Sequence, residues 1–250
     1  MPIALLPAAA FGLLIGSFLN VVAYRLPRRE SLATPGSHCP SCEAPVKPYD
    51  NIPVLSWLLL RGRCRSCREP IGARYPIVEA ITAVLFAAVV AVQLHDPAML
   101  VLGLVLVAFL VPIAAIDIDH RRIPNKLTAP AAVLALVLGT ALDPGGEVER
   151  LTAAVIAGGA LLLPSLLAPG GMGMGDAKLV AVLGLFLGRG VGPAFLVAFV
   201  VGTIVGIAIM IRKGIAAGRK TAVPFGPFLA LGGIVGLLAG DELVQVYLDT

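Results

Sequence analysis

This sequence is poor in charge. Lys, Arg, Asp and Glu make up 14% of the 250 residues, against 58% hydrophobic, where soluble domains run nearer a quarter charged. A soluble fold of this length cannot hide so much apolar surface in one core. That class is excluded, and hydrocarbon is the solvent that fits. Histidine is scarce: there are three, His38, His95 and His120. None pairs convincingly with a Ser or Cys nucleophile, so a catalytic triad is excluded. There is no long basic tail and no aromatic-interleaved basic patch. Nucleic acid is therefore excluded as a partner, although the net charge is +4. A glycine-rich strand–turn–helix nucleotide-binding unit is missing as well.

What is present is a series of apolar runs. About 20 apolar residues span a bilayer, and eight spans are read at about 3–24, 77–94, 98–117, 127–142, 151–168, 177–188, 190–211 and 223–240. The sixth is short, and its border with the seventh rests on Gly188, Arg189 and Gly190. Lipid offers the backbone no hydrogen-bond partner, so the spans are helices. The expected fold is all-α, a polytopic transmembrane helical bundle of about eight spans with one small cytoplasmic loop domain. Gly158-Gly159-Ala160 and Gly202/Gly206 either permit close helix contact or are simply tolerated in lipid.

The first run is not a secretory signal. No basic residue precedes it, and Arg25, Arg28 and Arg29 follow it. That asymmetry places the N-terminus outside and the next loop in the cytoplasm. The remaining loops agree. Seventeen of the nineteen basic residues fall on the cytoplasmic side of an eight-span, N-out chain, leaving Arg150 and Arg189 opposite. The opposite side holds Asp96, Asp143, Glu147, Glu149, Asp241, Glu242 and Asp249.

The stretch 25–76 is the single long hydrophilic segment and contains all four cysteines, as Cys39-Pro40-Ser41-Cys42 and Cys64-Arg65-Ser66-Cys67. Two Cys-x-x-Cys knuckles at this separation resemble a four-thiolate zinc site. All four ligand positions are filled, which makes the site structural. In so small a segment, metal binding supplies much of the folding energy. Arg63, Arg65 and Arg68 stand near enough in sequence to offset the site's negative charge. The alternatives are two disulfides, which a reducing cytoplasm disfavours, or a redox pair. His38 is a spare ligand or a plain loop residue.

Carboxylates at a membrane border are costly. Asp117 ends the apolar run 109–116, where a helix C-terminus disfavours negative charge, so capping does not explain it. Asp119 reads as a solvated border charge. Asp176 follows Gly171-Met172-Gly173-Met174-Gly175. It is either an N-cap or a carboxylate beside a glycine loop, with Gly173 and Gly175 letting an extended peptide approach. Asp117 and Asp176 both fall at cytoplasmic ends of spans. Two carboxylates sharing a site can divide the work of activating water and polarising a peptide carbonyl. That is aspartyl protease chemistry. Two alternatives stay open on the residues: a proton-coupled transporter and a non-catalytic zinc-loop scaffold. Glu79, at the start of span two, stands where a charge is costly, unless it is a first-turn carboxylate favoured by the helix dipole.

Taken in order, several motifs resemble the prepilin peptidases, the type IV leader peptidases. They are Gly16-Ser17-Phe18-Leu19-Asn20 through Arg25-Leu26-Pro27, the paired knuckles with Asp50-Asn51-Ile52-Pro53 through Trp57 between them, and Arg74-Tyr75-Pro76-Ile77-Val78-Glu79. Ile116-Asp117 through Ile123-Pro124-Asn125, Gly173-Met174-Gly175-Asp176, and Val223-Pro224-Phe225-Gly226-Pro227-Phe228 complete the set. The resemblance implies an enzyme of the bacterial cytoplasmic (inner) membrane that cleaves the leader of type IV prepilins and pseudopilins at the cytoplasmic face. It maps the catalytic aspartates onto Asp117 and Asp176. It implies a second activity, N-methylation of the new N-terminus with S-adenosylmethionine, linked to the cytoplasmic loop, for which Glu79 is a candidate to bind the methyl donor or the substrate amine. Position 125 is Asn where many relatives carry Asp. The expected organisation is a first transmembrane helix, 1–24; a tetra-cysteine zinc-binding domain, 25–76; and a transmembrane aspartyl peptidase bundle, 77–250, in contact with membrane lipid.

Overall fold

The computed structural model describes residues 2–167, 173–214 and 223–249. Gly171 and Met172 of the glycine run, and Arg219 and Lys220 of the last basic loop, lie outside the described residues. Those described form helices and no strands. The helices are α1 (Pro2–Arg28), a short α2 (Leu55–Leu59), α3 (Arg74–Gln93), α4 (Pro97–His120), α5 (Asn125–Leu142), α6 (Glu147–Leu167), α7 (Met174–Leu187), α8 (Val191–Lys213) and α9 (Gly226–Leu248). They pack as two units, Met1–Ala91 and Val92–Thr250.

In the first unit α1 and α3 meet along small residues. A Cβ on Gly12 would stand 2.7 Å from Ala83 Cα, and one on Gly16 would stand 2.8 Å from Glu79 Cα. Glycine at these two positions lets the backbones touch, and Phe11 packs on Phe86 with ring centroids 5.9 Å apart. Arg25, expected as an orientation signal, is 8% exposed. Its guanidinium donates to Ser31 O (2.9 Å) and Pro35 O (2.7 Å), tying down the chain that leaves α1.

The second unit is built around α4. Leu102, Leu106, Leu110, Ile113 and Ile116, spaced at three and four, are at most 1% exposed. This stripe faces partners while α4 stays apolar all round, as a buried or lipid-facing helix does. Asp96 caps the helix start, accepting from Met99 N–H at 3.0 Å. Arg121, in the left-handed region at φ 51°, closes its end with its N–H on Asp117 O. Around α4 lie α5 and α9, with α6 against α7 and α8 against α9. Gly158 lies against Ala181 of α7, while Gly206 faces open space. Close contact therefore accounts for Gly158 and Gly202, and not for Gly159 or Gly206.

Among the described residues, seven stretches are long and apolar enough to cross a bilayer, one fewer than the expected eight, because Met174–Lys213 qualifies as a single stretch of 40 residues. It holds both the sixth and seventh spans. α7 alone has 14 residues, about 21 Å at 1.5 Å per residue, short of the ~30 Å hydrocarbon layer. The chain still reverses inside that stretch. Gly190 approaches Gly236 and Gly240, Ala194 approaches Gly232 and Gly236, and Gly202 approaches Phe225 and Phe228. Rising numbers on α8 meet falling numbers on α9, so the two are antiparallel, whereas Leu183 and Leu187 of α7 meet Gly233 and Gly236 of α9 in rising order, so α7 runs opposite to α8. The reversal uses Gly188 at φ 54°, a conformation open to glycine. Glu149 Oε1 secures it by accepting from Arg189 N–H at 2.9 Å.

Candidate active site

The second unit gathers Asp117 and Asp176 at one end. Asp117 is 4% exposed. It ends a helix whose dipole disfavours its charge, yet its Oδ2 accepts the Gly226 N–H at 2.8 Å. Gly226 is the first residue of α9. The carboxylate thus caps the start of a helix remote in sequence, where free N–H groups favour an anion. The cradle needs glycine: a Cβ at 226 would stand 2.8 Å from Asp117 Oδ2 and 3.0 Å from Asp117 Cβ and Cγ.

Asp176 is half-buried. The N-cap reading does not hold. The N-cap of α7 is Gly173, and Asp176 is the third helical residue, with its N–H on Gly173 O at 3.0 Å. Its Oδ2 lies over Gly173, 2.8 Å from where a Cβ would be. Gly175 packs on Ile123, 3.0 Å from the Cβ it lacks, which seats α7 against the turn following α4. Both glycines of the motif therefore support the carboxylate's position. The two aspartates interact electrostatically with one another. Among the described residues, neither has an ion-pair partner. Asp119 is exposed at the helix end, as a border charge should be.

Two contributors went unassigned in the sequence. Gly226 sits in a recognised motif, but its contact with Asp117 joins positions 109 residues apart. Asn125 Oδ1 accepts from Lys178 Nζ at 3.0 Å, binding the start of α5 to α7 two residues past Asp176.

The opposite end of this unit is acidic, and its two cations are paired. Arg150, 5% exposed, donates to Asp143 Oδ2 (2.6 Å), Asp143 O (2.5 Å) and Glu147 Oε2 (3.0 Å). Arg189 Nε donates to Asp241 Oδ1 at 3.0 Å. These are the two basic residues that break the charge asymmetry, and each is neutralised locally.

In the first unit, Cys39, Cys42, Cys64 and Cys67 bring their sulfurs within 4.8 Å of one another and could hold a metal ion. None is in a disulfide. The two knuckles share one geometry. Cys39 N–H donates to Ala44 O and Cys64 N–H to Glu69 O. Glu43 and Arg68, each following a second cysteine, take φ 57° and 63°. Backbone N–H groups of Cys67 and Ser66 directed at the Cys64 sulfur lower that thiol to about 7, which favours the thiolate a metal requires. At Cys67 the Glu69 N–H acts in the same direction, but burial and the neighbouring thiols outweigh it and raise that thiol to about 12. Arg65 is engaged with Asp50 through Nε (2.8 Å) and Nη2 (2.6 Å). His38 is exposed, its Nδ1 on Gly36 O, and it is outside the cysteine cluster.

Glu79 is 7% exposed. It accepts the Val54 N–H at 2.7 Å and a hydrogen bond from Ser17. It lines a cavity of about 310 Å³ that reaches Cys39 and Cys64.

Comparison with known proteins gives a consistent answer. The family model described as Bacterial Peptidase A24 N-terminal domain matches residues 10–93. That of the Type IV leader peptidase family matches residues 104–207. Three curated relatives carry the name Prepilin leader peptidase/N-methyltransferase. The protein of Aeromonas salmonicida (strain A449) is 37% identical over 96% of this chain and 92% of its own length. That of Aeromonas hydrophila is 38% identical over 95% and 91%. That of Neisseria gonorrhoeae is 37% identical over 97% and 93%. No solved structure matches the chain. Two family models in order and relatives aligned along nearly the whole length place the chain in the type IV leader peptidase family.

Proposed function

We propose that this protein is an intramembrane aspartyl endopeptidase of the bacterial inner membrane, N-terminus outside. It cleaves the leader of type IV prepilins and pseudopilins at the cytoplasmic face, then methylates the new N-terminus. The carrying observation is that Asp117 and Asp176, 59 positions apart, lie at one end of one helical unit, with Gly175 packed on Ile123 of the turn that follows α4. Orientation follows from charge. The aspartate end carries Arg121, Arg122 and Lys126, while the opposite end carries Asp143, Glu147, Glu149 and Asp241, as positive-inside placement requires. α7 supports an intramembrane site. With Arg189 at one border, a helix of about 21 Å sets Asp176 short of the facing one.

Two carboxylates without a cation share a proton more readily than both ionise. The ionised member takes a proton from water, whose oxygen attacks the scissile carbonyl carbon. The protonated member donates to the carbonyl oxygen. Collapse of the tetrahedral species expels the amine, which leaves with a proton from the dyad. The Gly226 N–H holds Asp117 in orientation throughout.

Proteolysis belongs to the bundle within 77–250, and the segment 25–76 holds the metal. Zinc is the ion proposed. Sulfur pairs at 3.8 Å and 4.0 Å match the ~3.8 Å edge of a tetrahedron with bonds of ~2.3 Å. Such a site braces the loop and leaves no open position for chemistry. The methyl donor is S-adenosylmethionine, which supplies an electrophilic methyl on a sulfonium cation. The cavity beside Glu79 supports a methyl-transfer step in the loop-bearing unit: it holds one buried carboxylate with no ion-pair partner among the described residues.

The test uses the full-length protein in detergent with a prepilin substrate. Asp117→Asn and Asp176→Asn should each abolish cleavage while the fold is retained. Full cleavage by either variant would remove the dyad. Methylation of a pre-cleaved pilin should survive both changes, and its loss would mean a shared site.

A further inference from the structure

Glu79 is a buried carboxylate that the peptidase dyad does not use. Burying an anion without a counter-ion is costly, and its hydrogen-bond partners, Val54 N–H and the Ser17 hydroxyl, are neutral. The architecture around it is built for access. Gly16 lets α1 lie against α3 at Glu79 itself, which brings Ser17 to the carboxylate. Val54 sits at φ 60°, ψ −50°, a position unusual for a β-branched residue, and from there its N–H reaches Glu79. One turn before Glu79, Asn20 Nδ2 donates to Tyr75 O at 3.0 Å and fixes the start of α3. Trp57, its indole N–H on Ile71 O at 3.0 Å, forms an apolar wall. The cavity of about 310 Å³ opens among these groups, at the small end of ligand sites.

Of the other charged groups in its lining, Asp50 and Arg65 pair with each other, and Lys47 and Glu69 are exposed; Glu79 is the buried charge left without a counter-ion, and it calls for a small cation carried on an apolar body. We propose that this cavity is the methyl-acceptor site: it receives the α-ammonium of the processed pilin, and Glu79 binds that ammonium and takes its proton. This rests on the methyltransferase reading above. The step balances as follows. The ammonium transfers one proton to the Glu79 carboxylate, leaving a neutral amine. The amine lone pair forms the new C–N bond to the donor methyl. The C–S bond breaks with its electron pair retained by sulfur, so the donor becomes a neutral thioether and the product a secondary ammonium. Glu79 then releases its proton to water. Ser17 is a positioning residue, orienting the carboxylate.

The experiment measures binding separately from turnover. Full-length protein, metal intact, is titrated with a processed pilin peptide bearing either a free or an N-acetylated terminus. A charged hydrogen bond of ordinary strength favours the free amine about tenfold or more. Glu79→Gln keeps an oxygen for Val54 N–H and loses the charge. It should abolish that preference and methylation together, with the affinity for S-adenosylmethionine alone unchanged. Glu79→Asp, which keeps the charge, should retain part of the preference and guards against a misfolded Gln variant. Metal content and prepilin cleavage report integrity. A Glu79→Gln protein that still prefers the free amine overturns the assignment. So does selective loss of S-adenosylmethionine binding, which would make Glu79 a donor contact. A wild-type enzyme that cleaves but never methylates fails the underlying methyltransferase reading instead, an outcome the acetylation ratio keeps distinct.

Discussion

Gly226→Ala separates the geometry of the dyad from its chemistry. The added methyl would stand 2.8 Å from Asp117 Oδ2 and 3.0 Å from its Cβ and Cγ, closer than packed atoms sit, so one partner must yield. The α4 backbone cannot, because Leu110, Ile113 and Ile116 are at most 1% exposed around it and close-packed cores resist displacement. The Asp117 side chain turns instead and gives up the 2.8 Å bond from Gly226 N–H. A hydrogen bond to a charged group is worth about 1.5–3 kcal/mol. Alanine's better helix propensity returns up to about 1 kcal/mol. The net destabilisation is therefore about 1–2 kcal/mol, which leaves the bundle folded. The rate responds more strongly, since a displacement of about 1 Å at a reacting group costs on the order of a hundredfold. Prepilin cleavage should fall about a hundredfold in kcat/KM, with methylation of pre-cleaved pilin unchanged. Cleavage within twofold of wild type would show that the Gly226 contact does not set the position of Asp117, and the mechanism would lose its orienting group.

Cys39→Ser combined with Cys64→Ser removes one ligand from each knuckle. Purified protein should lose its metal by elemental analysis, and the 25–76 loop should become sensitive to protease; full metal content would sink the four-thiolate site. Gly16→Leu places side-chain atoms where α1 meets Glu79 Cα and Thr82. It should abolish methylation and leave cleavage intact, and normal methylation would mean that the α1–α3 approach does not shape the acceptor cavity. Arg150 holds Asp143 below the ordinary carboxylate range, first through its hydrogen bond, with the Gly146 N–H adding to it. A carboxylate lowered on folding contributes stability above its unfolded value of about 3.9, and that contribution is lost as pH falls through the lower folded value. Arg150→Gln should lower the melting temperature at pH 7 and flatten its decline in acid. An unchanged melting curve would show the buried guanidinium to be dispensable.

The helical class, the lipid-like solvent and the borders of most helices were legible in the sequence, because hydrocarbon forces local hydrogen bonding and leaves a run of apolar residues as its trace. The cysteine pairs were legible for a similar reason: each knuckle is a local turn, and its geometry is written within a few residues. The span count was less so. Gly188-Arg189-Gly190 signals a break, but only packing against Glu149 and the register of α8 on α9 make it a reversal. The N-cap alternative for Asp176 stayed open in the sequence because local preference does not distinguish it from the actual cap three residues earlier, Gly173.

The sequence by itself determined which side chains are available and how each helix starts, ends and is solvated. Tertiary structure decided which of them meet. Asp117 finds Gly226 across 109 residues, and Glu79 finds Val54 and Ser17 through a glycine contact between two helices. Such encounters depend on the crossing and register of packed helices, where a single Cβ sets the distance. No periodicity within one helix carries that information.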